Sequence, residues 1–241
     1  MSADTAEHND QKTHEYFDNF TPSYRPERFQ FAVDFINEQG DDSLRLLDIG
    51  CGDGATLAML KNDTNLKNLV GLDISPNYLA KARDQVGCET IEGSILDPKL
   101  VAEHAGQFDL CSLGAVIHHL IGDSRKESTE LGATCVKHSM ELLKPGGHLI
   151  IFEPTYTPKL AMDAVFRIKK TFTKFSSNRI EFFKSWANFG EPVVSYYTPD
   201  MLEGFIKNSG PHNLKKFDVM DDMRFGGVLR RRGMGCIIQR G

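Results

Sequence analysis

From residue 44 onward, apolar positions alternate between short continuous runs and helically spaced stretches. Leu44–Ile49, Leu69–Asp73, Glu89–Glu92, Phe108–Leu113 and His148–Phe152 read as strands. Ala55, Leu57, Ala58, Met59 and Leu60 read as one helical face between the first two. Ser75-Pro76 and Asp97-Pro98 each combine an N-cap residue with proline at the first helical position. A long helix is predicted from Ser124 to Leu143, then a turn at Lys144-Pro145-Gly146-Gly147. Strands separated by single helices predict a parallel sheet with right-handed crossovers. Ahead of this region, Pro26 opens a helix whose apolar face is Phe29, Ala32, Val33, Phe35 and Ile36, ended by Gly40. Behind it the rhythm breaks, and residues 154–197 carry no clean strand. Thr198-Pro199 then starts a helix ending near Gly210, and Leu214–Met220 and Gly233–Gln239 read as closing strands. Arg230-Arg231-Arg232 falls at the expected hairpin between them and reads as a solvated turn.

The chain has 241 residues, a size that one α/β domain accommodates. Residues 1–12 read as a flexible tail and 13–241 as a single domain, with N-terminal cap helices over 13–43 and a lid insertion over 154–197. The net charge of −5 gives no sign of a globally basic nucleic-acid binder. Five cysteines, Cys51, Cys88, Cys111, Cys135 and Cys236, are odd in number and far apart, with no Cys/His cluster. That pattern supports neither a disulfide framework nor a metal site, so a reducing, cytoplasmic setting is the expectation. The polar N-terminal residues do not read as a signal peptide, and no run is apolar enough to span a membrane.

The glycine loop Gly50-Cys51-Gly52-Asp53-Gly54 follows the first strand and precedes a helix, where backbone can approach a ligand closely. Asp73 ends the second strand, where a carboxylate can accept from both ribose hydroxyls of a nucleoside. By spacing alone, Gly50, Gly52 and Ala55 satisfy the dinucleotide pattern G-x-G-x-x-G/A. Charge discriminates between the two cofactor classes. Asp48, at the tip of the first strand, would repel a pyrophosphate and attract a ligand carrying an ammonium and a sulfonium. S-adenosylmethionine is such a ligand.

At this point the sequence resembles a known family, the class I S-adenosylmethionine-dependent methyltransferases of the small-molecule type. The resemblance rests on Leu46-Leu47-Asp48-Ile49-Gly50-Cys51-Gly52-Asp53-Gly54 and on Val70-Gly71-Leu72-Asp73-Ile74-Ser75. It extends to Phe108-Asp109-Leu110 with Ala115-Val116-Ile117-His118-His119-Leu120, and to Leu142-Leu143-Lys144-Pro145-Gly146-Gly147-His148-Leu149-Ile150. It is strong over residues 44–153. It implies a three-layer Rossmann-like fold: a mostly parallel seven-stranded sheet with an antiparallel last strand, plus a helical lid. It also implies S-adenosylmethionine as cofactor, in contact with Asp48, Gly50, Cys51, Gly52, Asp73, Ile74 and Leu113. Where the family normally reads Gly-Asp, this chain has Gly93-Ser94, which leaves the adenine contact to Ser94 or to backbone at Ile95. Tyr24, with Tyr16, would cover the methionine end or form a structural aromatic cluster.

Candidates on the acceptor side are fewer. His118 and His119 follow the fourth strand on the ligand edge, with His119 the more typical family residue; a packing role and a base role both stand open. Glu153 ends the fifth strand and either binds substrate or caps the next loop. Residues 159–190 hold seven basic and two acidic residues with seven aromatics, consistent with an amphipathic lid. The expected activity is methyl transfer to a small-molecule oxygen, nitrogen or carbon, with nucleic acid not expected as partner. The runner-up is an RNA-modifying methyltransferase, favoured by the basic aromatic insertion. Against it, Ser112-Leu113-Gly114-Ala115 stands where an exocyclic-amine motif would be. A non-catalytic cofactor-binding partner subunit is the third reading, and a dehydrogenase, disfavoured by Asp48, the fourth.

Overall fold

The computed structural model describes residues 26–175, 194–218, 223–225 and 229–241. Five strands come first: β1 (Arg45–Ile49), β2 (Asn68–Asp73), β3 (Glu89–Glu92), β4 (Phe108–Gly114) and β5 (Leu143–Thr157). Three more follow: β6 (His212–Asp218), β7 (Met223–Phe225) and β8 (Leu229–Arg240). They form one sheet in the order β3-β2-β1-β4-β5-β8-β6, with the short β7 added along β8. Strands β1 to β5 pair in parallel, and β8 runs antiparallel to β5 and β6. The expected architecture is present, a mostly parallel sheet with an antiparallel last strand. The strand order reverses between β1 and β4, and in such sheets the crevice at that point, outside the carboxyl ends, is where ligands bind.

The strands lie between two apolar layers, which is why β1, β2 and β4 read as continuous apolar runs. On one face pack α1 (Gln30–Gln39), α2 (Ala55–Asp63) and α3 (Pro76–Val86), through Ile36, Leu57, Leu60, Leu79 and Ala82. On the other pack α4 (Pro98–His104), α5 (Arg125–Leu142) and α7 (Pro199–Lys207), through Val101, Val136, Met140, Leu202 and Phe205. Between α5 and α7 in sequence lies α6 (Lys159–Phe175). The predicted caps at Ser75, Asp97 and Thr198 are in place, accepting backbone N–H bonds from Tyr78, Lys99 and Met201, and Ser124 adds a fourth by accepting from Glu127, each worth about 1 kcal/mol.

Three expectations are corrected. The predicted turn at Lys144–Gly147 is a register irregularity inside β5, which already pairs with β4 at Leu143 and resumes at His148. Strand β5 also runs on to Thr157, so residues 154–157 are strand rather than the start of a strandless insertion. Arg230–Arg232 is not a solvated turn, because β8 starts at Leu229 and pairs these arginines with Thr155, Tyr156 and Thr157. The long β5 supplies hydrogen-bonding partners that hold the arginines extended, which local composition does not reveal.

Beyond the end of β4, the place beside β5 is taken by the segment 195–197. Tyr156 N–H donates to the Tyr197 carbonyl, and Ser195 N–H to the His118 carbonyl. Arg125 fastens this segment. Its guanidinium donates to Ser195 Oγ, to the Tyr196 carbonyl and, at 3.1 Å, to Asp163 on α6. Replacing Arg125 by alanine leaves those acceptors without their donor and should cost about 2 kcal/mol. The thermal midpoint should then fall by roughly 4–8 °C, checked by calorimetry; an unchanged midpoint would contradict the assignment.

Candidate active site

The glycine loop starts where β1 stops. Gly50 and Cys51 N–H groups both donate to the Leu72 carbonyl, at 2.7 and 3.1 Å, which folds the loop back over β2. Gly50 has φ +70°, and a Cβ there would lie 2.7 Å from Val116 Cγ2, so no other residue fits without displacement. At Gly52 (φ +54°) nothing stands within 4 Å of an added Cβ, so the space beside this half-buried backbone is open to a ligand. Asp73 organises this loop. Its Oδ2 accepts Gly52 N–H and its Oδ1 accepts Ser75 N–H, each at 2.9 Å. Ile74 follows at the edge and is 38% exposed, an apolar surface beside Asp73.

Asp48 is 2% exposed and lies in register with Ser112 of β4, whose Oγ donates to it at 2.6 Å. Burial pushes its carboxyl up to about 7; the Ser112 bond pulls it down, and the charge of Asp73 adds to the rise. Among the described residues no cationic side chain pairs with Asp48. Two carboxylates thus sit at the switch point, and a cationic ligand there would relieve the buried one. Ser112 is a polar residue inside an apolar strand run, a signal that sequence reasoning passed over.

The remaining cofactor candidates are placed as follows. Ser94 Oγ accepts Leu96 N–H, and the Ile95 carbonyl lies 2.8 Å from His138 Nδ1. Leu113 and Cys51 are buried, Leu113 in the main core, so contacts to a ligand there fall to their backbone. Tyr24 lies outside the described residues, as do Tyr16 and most of the lid aromatics.

At the end of β4 the chain passes Ala115 in the left-handed region (φ +60°) and enters a short 3-10 turn, Ile117–His119. Glu153, 1% exposed at the end of the β4–β5 ladder, holds that turn. Its Oε1 accepts Ile117 N–H at 2.5 Å, and its Oε2 is 2.8 Å from His118 Nδ1. Burial drives Glu153 up to about 8 and His118 down to about 3, so burial favours the neutral form of both. With Oε1 accepting from Ile117, a neutral Glu153 would donate from Oε2 to Nδ1 and leave His118 presenting Nε2–H as a donor. Burial, and then the neighbouring His118, lower His119 as well. Glu153 is expected to bind substrate or to cap the loop that follows it; the turn it braces is the earlier one, after β4. Sequence reasoning missed Tyr156, Tyr196 and Arg231, which the 195–197 segment and β8 bring to the same edge.

The raised carboxyls set a pH dependence. Asp48 and Glu153 bind more protons in the native than in the unfolded state between about pH 4 and their native values of about 7 and 8. Stability therefore falls as pH rises there. His118 and His119 oppose this only below about pH 6.5, where the unfolded imidazoles charge. The ligand-free protein should lose thermal stability from pH 6.5 to 8, by roughly 2–4 °C for each ~1 kcal/mol, in a differential scanning series. A flat or rising midpoint would contradict both burial assignments.

The family model described as "Methyltransferase domain" matches residues 47–151. The tRNA (carboxymethyluridine(34)-5-O)-methyltransferase alkbh8 of Xenopus tropicalis is 30% identical over 119 residues, 49% of this chain and 17% of that protein. Ribosomal RNA small subunit methyltransferase C of an Enterobacter species is 25% identical over 114 residues, 47% of this chain and 32% of that one. This chain thus spans a third or less of those relatives. Among solved structures, an O-methyltransferase family protein from Burkholderia thailandensis superposes with a TM-score of 0.55 at 21% identity, covering 88% of this chain and 56% of its own. That likeness concerns the fold. Among the described residues no helix is long and apolar enough to cross a membrane. The matched segment holds the glycine loop, Asp73 and the β4 turn, so it is over these cofactor-side elements that the chain is similar to a methyltransferase domain.

Proposed function

We propose that this chain transfers a methyl group from S-adenosylmethionine to a small-molecule acceptor. The observation that carries the cofactor half is Asp48, a buried carboxyl with no described cationic partner, beside Asp73 and the open backbone of Gly52. Asp48 would answer the cofactor's positive charges, Asp73 the ribose hydroxyls, and Ile74 the adenine face. S-adenosylmethionine, when bound, supplies an electrophilic methyl group, so the protein has to position and desolvate. The acceptor half draws support from the turn Ile117–His119. His118 is buried, and burial disfavours the charged form of both histidines, which suits a small molecule enclosed beside them more than a hydrated polynucleotide. His118, held by Glu153, would donate through Nε2 to an acceptor atom, and His119 would border the same space.

RNA is the second reading, favoured by the names of the two curated relatives and by the basic aromatic stretch 159–190. The test is transfer of tritiated methyl groups from labelled cofactor into a small-molecule extract and into total RNA. Label in the small-molecule fraction alone is expected. Label in RNA would promote the second reading. Label in neither, with cofactor still bound, would mark a non-catalytic partner subunit.

A further inference from the structure

Helix α6 begins at Lys159, just beyond the end of β5 at Thr157, so it leaves the sheet at its carboxyl edge. One side of the helix is docked. Met162 and Phe166 are buried, and Asp163 accepts from Arg125 Nε at 3.1 Å. One turn on, Lys170 Nζ donates to the Gly122 carbonyl at 2.6 Å and faces Asp123 at 3.7 Å. At about 100° per residue these four positions share one side, and Leu160, Ala164 and Ile168, spaced by four, form a stripe roughly opposite. Leu160 is 80% and Ile168 42% exposed, with Ala164 exposed between them. Among the described residues three large hydrophobics are exposed; Ile74 lies beside Asp73, and the other two both fall on this stripe. The bonds to Arg125 and Gly122 fix the rotation of the helix, and that rotation turns the stripe outward.

We infer that α6 seats the protein on an anionic lipid surface, with Leu160, Ala164 and Ile168 entering the headgroup layer. This goes beyond the methyl-transfer reading and stands apart from it. Charge selects the occupant. The helix carries Lys159, Arg167, Lys169, Lys170 and Lys174 against Asp163 alone, on a chain whose net charge is −5. Asp163 is itself paired by Arg125 and Lys159. An apolar stripe on a cationic helix suits the plane of a bilayer interface, where buried apolar area and attraction to anionic headgroups act together. A second copy fits less well. Packed stripe on stripe, two copies would bring two cationic helices together, and a stripe about 12 Å long falls short of the ~800 Å² per partner of a stable dimer. RNA would meet the charge without a stacking platform, because the exposed side chains of the stripe are aliphatic.

The test is flotation of the full chain with vesicles of phosphatidylcholine, alone or with about one third phosphatidylserine. Binding to the anionic vesicles should exceed binding to the neutral ones by about tenfold or more and decline as salt is added. Leu160→Gln and Ile168→Gln together should lower binding to the anionic vesicles by about tenfold or more. Because both side chains are exposed and glutamine is a good helix former, the thermal midpoint should stay within about 3 °C of the original. A larger drop would mean that part of this chain already covers the stripe, and would overturn the inference. No binding to the anionic vesicles, equal binding to the neutral ones, or binding that the glutamine variant keeps would overturn it too. So would a dimer, read by analytical ultracentrifugation, that the variant dissociates, or a short RNA that the chain binds while leaving anionic vesicles unbound. Calorimetry of S-adenosylhomocysteine is the separate arm. Equal affinity in both proteins is expected, while no affinity in either would count against the methyl-transfer reading and leave the lipid surface standing.

Discussion

Replacing Asp73 by alanine should lower the affinity for S-adenosylhomocysteine by about tenfold or more. Two effects add. The carboxylate would lose its bonds to the ribose hydroxyls, charge-assisted and worth ~1.5–3 kcal/mol each when desolvated. It would also release Gly52 and Ser75 N–H, leaving the loop held against β2 only by the Gly50 and Cys51 bonds to the Leu72 carbonyl. Part of the loss is therefore preorganisation, and the ligand-free protein should lose about 1 kcal/mol of stability as well. Asp73→Asn keeps one acceptor oxygen and should fall between in both respects. Calorimetric titration of the three proteins reads this directly, and unchanged affinity in Asp73→Ala would place the ribose elsewhere.

Glu153→Ala should be the most destabilising single change in the acceptor region. It removes the acceptor for the buried Ile117 N–H and the partner of His118 Nδ1, groups that cost about 1–3 kcal/mol each when left unsatisfied. A loss of about 3 kcal/mol would lower the thermal midpoint by roughly 6–12 °C. Methyl transfer should fall with it, because the turn carrying both histidines would lose its brace. Glu153→Gln separates charge from shape. If the acid is protonated at neutral pH, as its burial requires, the amide reproduces both bonds, and stability should stay within about 1 kcal/mol of the original. A glutamine variant as unstable as the alanine variant would mean that Glu153 is ionised, and that His118 donates from Nδ1.

What the chain revealed before folding was the part governed by local rules. The β1 loop, the capped starts of α3, α4 and α7, and Asp48 and Asp73 are visible because strand, glycines and helix follow one another directly in sequence. The acceptor side was not visible, since it is built from segments far apart in the chain. Tyr156 meets Tyr196 only because residues 195–197 occupy the place that β4 vacates beside β5. Arg231 read as solvated because three adjacent arginines resemble a turn. Pairing with the long β5 sends Arg231 to one face and its neighbours to the other. Glu153 was legible as an edge residue, but its role as the cap of Ile117 depends on a register between β4 and β5 that sequence does not state.

The central claim is that the switch point between β1 and β4 is built for a cationic nucleoside rather than a dinucleotide. Calorimetric titration of the intact chain with S-adenosylhomocysteine, S-adenosylmethionine and NAD tests it most directly. Micromolar-class binding of the two sulfur nucleosides, strengthening as pH rises through about 7 where Asp48 ionises, is the predicted result, with no comparable binding of NAD. NAD bound more tightly than either, or affinity for the sulfur nucleosides that Asp48→Asn leaves unchanged, would contradict it.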